Sequence, residues 1–287
     1  KALADAGVNQ VLIHTGQHYS KNLSDDFFDT LNIPEPDYHL SVGSGTHAFQ
    51  TAEVLQKVET VFKEVNPKLV VVYGDVNSTV AACLAAAKLQ IKTAHVESGL
   101  RSFDRKMPEE INRVIVDHIC DYCFVTEESG LTNLQNEGIS SDRVFFVGNT
   151  MIDTLRKTVE KVSCFEDQEF ALLTCHRPSN VDTKEGLSRL LEVCKNAPNK
   201  IIFPVHPRTR ENMNKHGILP EFTKLKNLIM CEPMSYTDFL GHMKNAKFVV
   251  TDSGGIQEET TALGVPCLTI RDNTERPVTI EVGTNVL

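Results

Sequence analysis

Short, nearly continuous apolar runs alternate with longer amphipathic stretches along the whole chain. "VNQVLIHTG", "PKLVVVYGD", "IKTAHVES", "DYCFVTEE" and "DRVFFVGN" form a first series, and "EFALLTCH", "KIIFPVHP", "NLIMCEP", "AKFVVTDS" and "PCLTI" a second. Apolar strands without strict alternation are those buried on both faces, and helices between them predict parallel sheets. Phe49, Ala52, Leu55, Val58 and Phe62 recur every three or four residues, which predicts a long helix starting at Thr46 with those residues on its core face. Another helix is expected from Ser78 to near Lys88, and Pro108 suits the first turn of a third. The expected fold class is α/β, with two Rossmann-like αβα domains, residues 1–148 and 149–287, facing each other across a cleft. "KALADAG" reads as the last turns of a helix closed by Gly7, and "GTNVL" ends without a helix pattern. A first strand and C-terminal helices are therefore expected to lie outside the sequence.

In such sheets, ligands bind beyond the carboxyl ends of the strands. The chemistry-bearing residues fall there repeatedly. His14, Gln17 and His18 follow one strand, Asp75 and Asn77 the next, and Glu97 the third. In the second series His176 and Arg177, His206 and Arg208, and Asp252 and Ser253 do the same.

Composition narrows the function class. A net charge of −9 speaks against non-specific nucleic-acid binding, so any anionic ligand must be held by local positive groups. No apolar stretch is long enough for a membrane-spanning helix, and no membrane partner is expected. Most of the eight cysteines sit in apolar patterns, as buried thiols of a reducing compartment do, so a cytoplasmic location is expected. Cys120 and Cys123 form a CxxC without a second ligand pair, which reads as packing rather than a metal site.

"TDSGGIQEETTALGVP" carries the strongest single signal. A strand ends at Asp252, and a helix is expected to start near Ile256. Gly254 and Gly255 let backbone approach a ligand, and the helix start favours an anion such as a diphosphate. Glu259, one turn in, suits ribose hydroxyls. The competing reading is a plain strand–turn–helix capped by Ser253. "VGSGTHA" matches the letters of a dinucleotide fingerprint but follows no buried strand, so it reads as a loop capping the long helix. The basic pairs in "TCHRPSN" and "VHPRTR" are suited to phosphate, or are ordinary surface turns. In "HVESGLRSFDRKMPEEINR", Glu109 and Arg113 share a helix face, as an ordinary ion pair or as part of an acid cluster with Glu97 and Asp75.

Taken in order, "TGQHY", "YGDVNST", "HVESGLRS" with "PEEINR", "VGNTMIDTL", "LLTCHRPSNVD", "VHPRTR", "TDSGGIQEE" and "RDNTERP" make the whole chain resemble the non-hydrolysing UDP-N-acetylglucosamine 2-epimerases. The resemblance implies a GT-B-like fold, a homodimer, and neither metal nor nicotinamide cofactor. It implies interconversion of UDP-GlcNAc and UDP-ManNAc as a step toward surface polysaccharides. Asp75, Glu97, Glu109 and Arg113 become the acid–base candidates, and His176 the group beside the diphosphate. Ser253, Gly254, Gly255 and Glu259 become the UDP-binding set, with His206, Arg210 and Arg276 beside them and Gln17 and His18 as further substrate contacts. The chain departs from the family pattern in three places. Ser179 stands where HRxEN has Glu, Tyr19 stands where Gln-His-Arg has Arg, and the opening strand with its Gly-Thr-Arg-Pro-Glu turn is missing. The second of these leaves the family's activating substrate site without its Arg.

The implied route expels UDP, forms 2-acetamidoglucal, reprotonates C2 on the other face and returns UDP. The acids then serve C2, and the arginines orient them. A GT-B glycosyltransferase, a non-catalytic UDP-sugar sensor and an epimerase of a diacetamido sugar nucleotide are the alternatives.

Overall fold

The structure is a computed structural model that describes residues 2–17, 31, 33–160, 162 and 169–287. It divides into two compact units, Lys1–Asn149 and Thr150–Leu287.

In the first unit, β1 (Ile13–His14) pairs in parallel with β2 (Tyr38–His39). A four-stranded parallel sheet follows, in the order β3 (Leu69–Tyr73), β4 (Lys92–Ser98), β5 (Tyr122–Val125), β6 (Val144–Phe146). β4 lies inside this sheet and is buried along most of its length, whereas β6 closes one edge and exposes Phe145 and Phe146. The core gathers Val54, Val58 and Phe62 against Val70, Val72, Ala81, Val116 and Cys123.

The long helix spans His47–Val65 and starts where the sequence placed it, with the Thr46 hydroxyl accepting from the Phe49 N–H. Its buried face differs from the expected one. Gln50, Val54, Val58, Val61 and Phe62 are buried, while Phe49 and Ala52 are exposed. The stripe is rotated because Gln50 is drawn inward by polar partners, its amide donating to Gly43 O and accepting from Asn77.

In the second unit, six parallel strands take the order β12 (Asn285–Val286), β11 (Cys267–Thr269), β10 (Phe248–Thr251), β7 (Phe170–Thr174), β8 (Lys200–Pro204), β9 (Leu228–Cys231). β7 is central and apolar from Phe170 to Leu173, and Leu172 and Leu173 pack into different clusters on its two faces. Because every pairing is parallel, each sheet presents its strand C-termini along one edge. Asp75 and Glu97 lie at that edge in the first unit. His176, His206 and Asp252 lie at the ends of adjacent strands in the second.

Candidate active site

β3 leaves the sheet through Gly74, whose φ of 63° is a left-handed conformation suited to glycine, and delivers Asp75. Three contacts fix this turn. Gly74 donates to Val96 O at 3.1 Å, Asn112 donates to Asp75 O at 2.8 Å, and Arg113 reaches Asp75 Oδ2 through Nε at 3.0 Å and Nη2 at 2.6 Å. Arg113 is buried, and its remaining Nη1 donates to Glu110 at 2.7 Å. One guanidinium thus aims Asp75 and ties it to the buried Glu110.

Glu97 lies where the β4–β5 register shifts, with a φ of 72°. A non-glycine residue in that region is a local strain held by its surroundings, and it turns Glu97 out of the strand's alternation. The Glu97 carboxylate comes within 4.0 Å of where a Cβ on Gly74 would stand, so the two acid-bearing turns are neighbours.

Glu109 and Glu110 open the helix Pro108–Ile119, and their roles separate sharply. Glu110 is buried and accepts from Ser102 N, Ser102 Oγ and Phe103 N at 2.9–3.0 Å as well as from Arg113. It pins the loop before the helix. Glu109 is half-buried. Arg113 therefore pairs with Glu110 and Asp75, not with Glu109 as the four-residue spacing suggested. Arg101, in the same sequence stretch, is held by other carboxylates. It is buried in a bidentate pair with Glu137, at 2.7 Å to each oxygen, and in a contact with Asp117.

Gln17 frames the unit. Its side-chain oxygen accepts from Ser78 N at 3.0 Å and Ser78 Oγ at 2.7 Å, capping the first turn of the helix Asn77–Lys88. His18 lies outside the described residues.

In the second unit, the helix Gly254–Leu263 begins at Gly254, two residues before the expected start. Ser253 is its N-cap, yet its side chain makes no capping bond, and first-turn N–H groups of this kind have the geometry that suits an anion. The capped strand–turn–helix alternative loses its capping bond. Close approach explains both glycines in part. A Cβ on Gly254 would stand 2.6 Å from Glu275 Oε1, and one on Gly255 would stand 2.9 Å from the Met151 methyl.

Asp252 sits beneath this helix start with no exposure. It accepts from Cys175 Sγ at 3.0 Å, His176 N at 3.0 Å, Arg177 N at 2.8 Å and Asn180 Nδ2 at 3.1 Å, and it lies 3.2 Å from His176 Nδ1. Burial opposes its charge, but these donors outweigh burial and hold its carboxyl well below the usual range. His176 is oriented by Asp252, leaving Nε2 on the opposite side of the ring. Its ring centroid is 5.4 Å from that of His206. Burial, His176 and Arg208 push the His206 pKa down, and its Nδ1 accepts from Arg208 N at 3.2 Å. Glu259 is buried and accepts from Tyr236 OH at 2.8 Å; burial raises its pKa against that bond.

The arginines expected to meet phosphate are each engaged within the protein. Arg208 grips Asp182 at 2.6 and 2.8 Å, Arg210 lies 3.1 Å from Glu232, and Arg276 lies 2.8 Å from Glu258. Arg276 stays beside the helix start, with Nε 3.7 Å from the Cβ position of Gly254. Arg210 turns toward the end of β9. Among the described residues no group of three His, Cys, Asp or Glu side chains is arranged to hold a metal, and Cys120 and Cys123 pack as buried thiols with their sulfurs 3.5 Å apart.

Sequence reasoning placed Asp252 among the strand-end residues but gave it no role in orienting His176, and it gave Glu110 no role at all. The signal for Asp252 was its place after an apolar strand and before Ser-Gly-Gly; the signal for Glu110 was a doubled acid at a helix start, which periodicity alone does not divide between surface and core.

A family model described as UDP-N-acetylglucosamine 2-epimerase matches residues 1–287. The chain belongs to this family. The UDP-N-acetylglucosamine 2-epimerase of Methanocaldococcus jannaschii is 45% identical over 302 residues, covering 100% of this chain and 82% of that protein. The UDP-2,3-diacetamido-2,3-dideoxy-D-glucuronate 2-epimerase of Pseudomonas aeruginosa is 37% identical, covering 98% of this chain and 80% of that protein. The crystal structure of the Methanocaldococcus jannaschii enzyme in complex with UDP-GlcNAc and UDP superimposes with a TM-score of 0.94 at 44% identity, over 100% of this chain and 83% of that one. The epimerase family thus gives this chain its two-domain α/β, GT-B-like fold class, as the sequence led one to expect.

Proposed function

We propose that this protein interconverts UDP-GlcNAc and UDP-ManNAc by inverting C2 of the sugar. The fit of residues 1–287 to an epimerase crystallised with UDP-GlcNAc and UDP carries the reading. The geometry of each unit supports it: one holds acids on braced turns, and the other holds a helix start without a side-chain cap beside an Asp-oriented histidine.

The C2 proton is not acidic on its own, because no carbonyl activates it. Departure of UDP from C1 lets the C2–H electron pair form a C1–C2 double bond, while the C1–O pair leaves with the diphosphate. The product of that step is 2-acetamidoglucal. The first N–H groups of Gly254–Leu263 and Nε2 of His176 hold the departing diphosphate, and preorganised donors of this kind contribute about 3–4 kcal/mol each. Asp75, Glu97 and Glu109 take and return the proton, a contribution of roughly 10²–10⁴-fold. Arg113 acts through Asp75. Glu259 meets the ribose, with Arg276 and Ser253 beside the diphosphate and His206 behind His176. Protonation on the opposite face and return of UDP complete the epimer.

We carry the family's homodimer forward as part of this proposal, together with a cytoplasmic location. Buried free thiols at Cys83, Cys175, Cys194 and Cys267 support a reducing compartment. Among the described residues no helix is long and apolar enough to cross a membrane.

UDP-GlcNAc supplied alone should yield UDP-ManNAc. Consumption only in the presence of an acceptor would favour a glycosyltransferase, and tight binding without turnover a sensor. Turnover restricted to a diacetamido uronic nucleotide would move the substrate to the sugar named for the Pseudomonas relative.

A further inference from the structure

His95 is fully buried on β4, two residues before Glu97, and the mechanism above gives it no task. Its Nδ1 lies 2.6 Å from Asp117 Oδ1, and its Nε2 lies 2.8 Å from the Gly74 carbonyl oxygen. Both partners are acceptors only. A neutral imidazole carries one N–H and would turn a lone pair on one of them, whereas an imidazolium satisfies both.

The surrounding charges are arranged for that form. Asp117 Oδ2 accepts from Gly99 N at 3.0 Å and lies 2.8 Å from Arg101 Nη1, and Arg101 is held in turn by Glu137. His95, Asp117, Arg101 and Glu137 thus alternate in sign. Across the sheet, His95 is in register with Val72 and Cys123, and the titratable groups on that second strand are Tyr122 and Cys123. Burial lowers the His95 pKa, but Asp117 and the Gly74 carbonyl outweigh it and the net direction is upward.

The pair touches both acid-bearing turns. Gly74 O is followed directly by Asp75, and Gly99 N comes two residues after Glu97. We propose that His95 is a positioning residue, a permanently charged imidazolium that with Asp117 ties the Gly74–Asp75 turn to the Glu97–Gly99 turn and so sets the spacing of the two acids. The role at catalysis rests on the epimerase reading above; the charge state does not.

Ring-nitrogen NMR of the wild-type protein labelled with ¹⁵N-histidine separates the two. The buried ring, assigned through its contacts with Gly74, is expected to keep protons on both nitrogens from about pH 5 to about pH 8, the interval in which an ordinary histidine discharges. A singly protonated ring at the upper end overturns the proposal, whether or not the protein epimerises. In His95→Gln, an amide still donates to Gly74 O but carries no charge. This variant is expected to lose about 10-fold or more in kcat while KM for UDP-GlcNAc and the Kd for UDP stay within about twofold. Unchanged kcat in a folded His95→Gln also overturns it. If that variant does not fold, the ring measurement on the wild-type protein decides alone.

Discussion

The carboxylate of Asp252 lies 3.2 Å from Nδ1 of His176 and accepts the backbone N–H groups of His176 and Arg177 as well. One buried carboxylate therefore fixes both the His176 ring and the turn that carries it. The two residues are expected to fail differently. In His176→Ala, Asp252 keeps its bonds from Cys175, Asn180 and two backbone amides, so the fold persists. Loss of a charge-assisted bond of about 1.5–3 kcal/mol should weaken UDP binding roughly 10–100-fold by calorimetry.

Asp252→Asn is expected to cost stability instead, because an amide group would turn a donor toward other donors. The folded-state pKa of Asp252 lies below its ordinary value of 3.8, so its contribution is fully present above about pH 4 and is lost as pH falls toward the depressed value. The stability gap between wild type and Asp252→Asn should therefore narrow on acidification, as read by denaturant melts at neutral pH and near pH 3. A gap that does not change with pH contradicts an ionised Asp252.

Gly254 and Gly255 distinguish fold from ligand approach. A Cβ at Gly254 meets the buried Glu275 carboxylate, so Gly254→Ala should lose about 1–3 kcal/mol of stability and bind UDP poorly for that reason. A Cβ at Gly255 meets only the flexible end of Met151. Gly255→Ala should melt near the wild-type temperature and still lose UDP affinity, since its backbone lies in the first helical turn. Wild-type affinity in a stable Gly255→Ala would remove that amide from the clamp.

The layout of strands and the strand-end placement of Asp75, Glu97, His176 and Asp252 were legible in the sequence, because parallel sheets write both into apolar runs and the residues after them. The partners were not. Arg113 sits four residues after Glu109 and three after Glu110, and both spacings place side chains on one helix face. Only the fold of Ser102 and Phe103 back over the helix start decides that Glu110 is taken. Likewise Phe49 fits the helical period of the core face, but burial of Gln50 beside Asn77 rotates that face away from it. Polar interactions between distant segments leave little periodic trace.

Those two acids give a direct contrast. Glu110→Gln should cost about 1–3 kcal/mol, since it breaks the Arg113 pair and leaves one of the Ser102 and Phe103 donors facing an amide. Glu109→Gln should leave the melting temperature within a degree or two, roughly as for other surface changes, and should slow epimerisation by about 10²-fold or more. Equal losses of stability in both variants would contradict the division of roles.

The fate of the C2 hydrogen tests the central claim most directly. The protein incubated with UDP-GlcNAc in D₂O should give UDP-ManNAc deuterated at C2, and recovered UDP-GlcNAc should acquire label as well, because acids on opposite faces exchange with solvent between removal and return. Asp75→Asn, Glu97→Gln and Glu109→Gln should each slow that exchange, since an amide holds geometry without accepting the proton. Mass spectrometry or NMR of the two nucleotides reads the result. Epimer formed with its original C2 hydrogen intact would contradict proton transfer through these carboxylates.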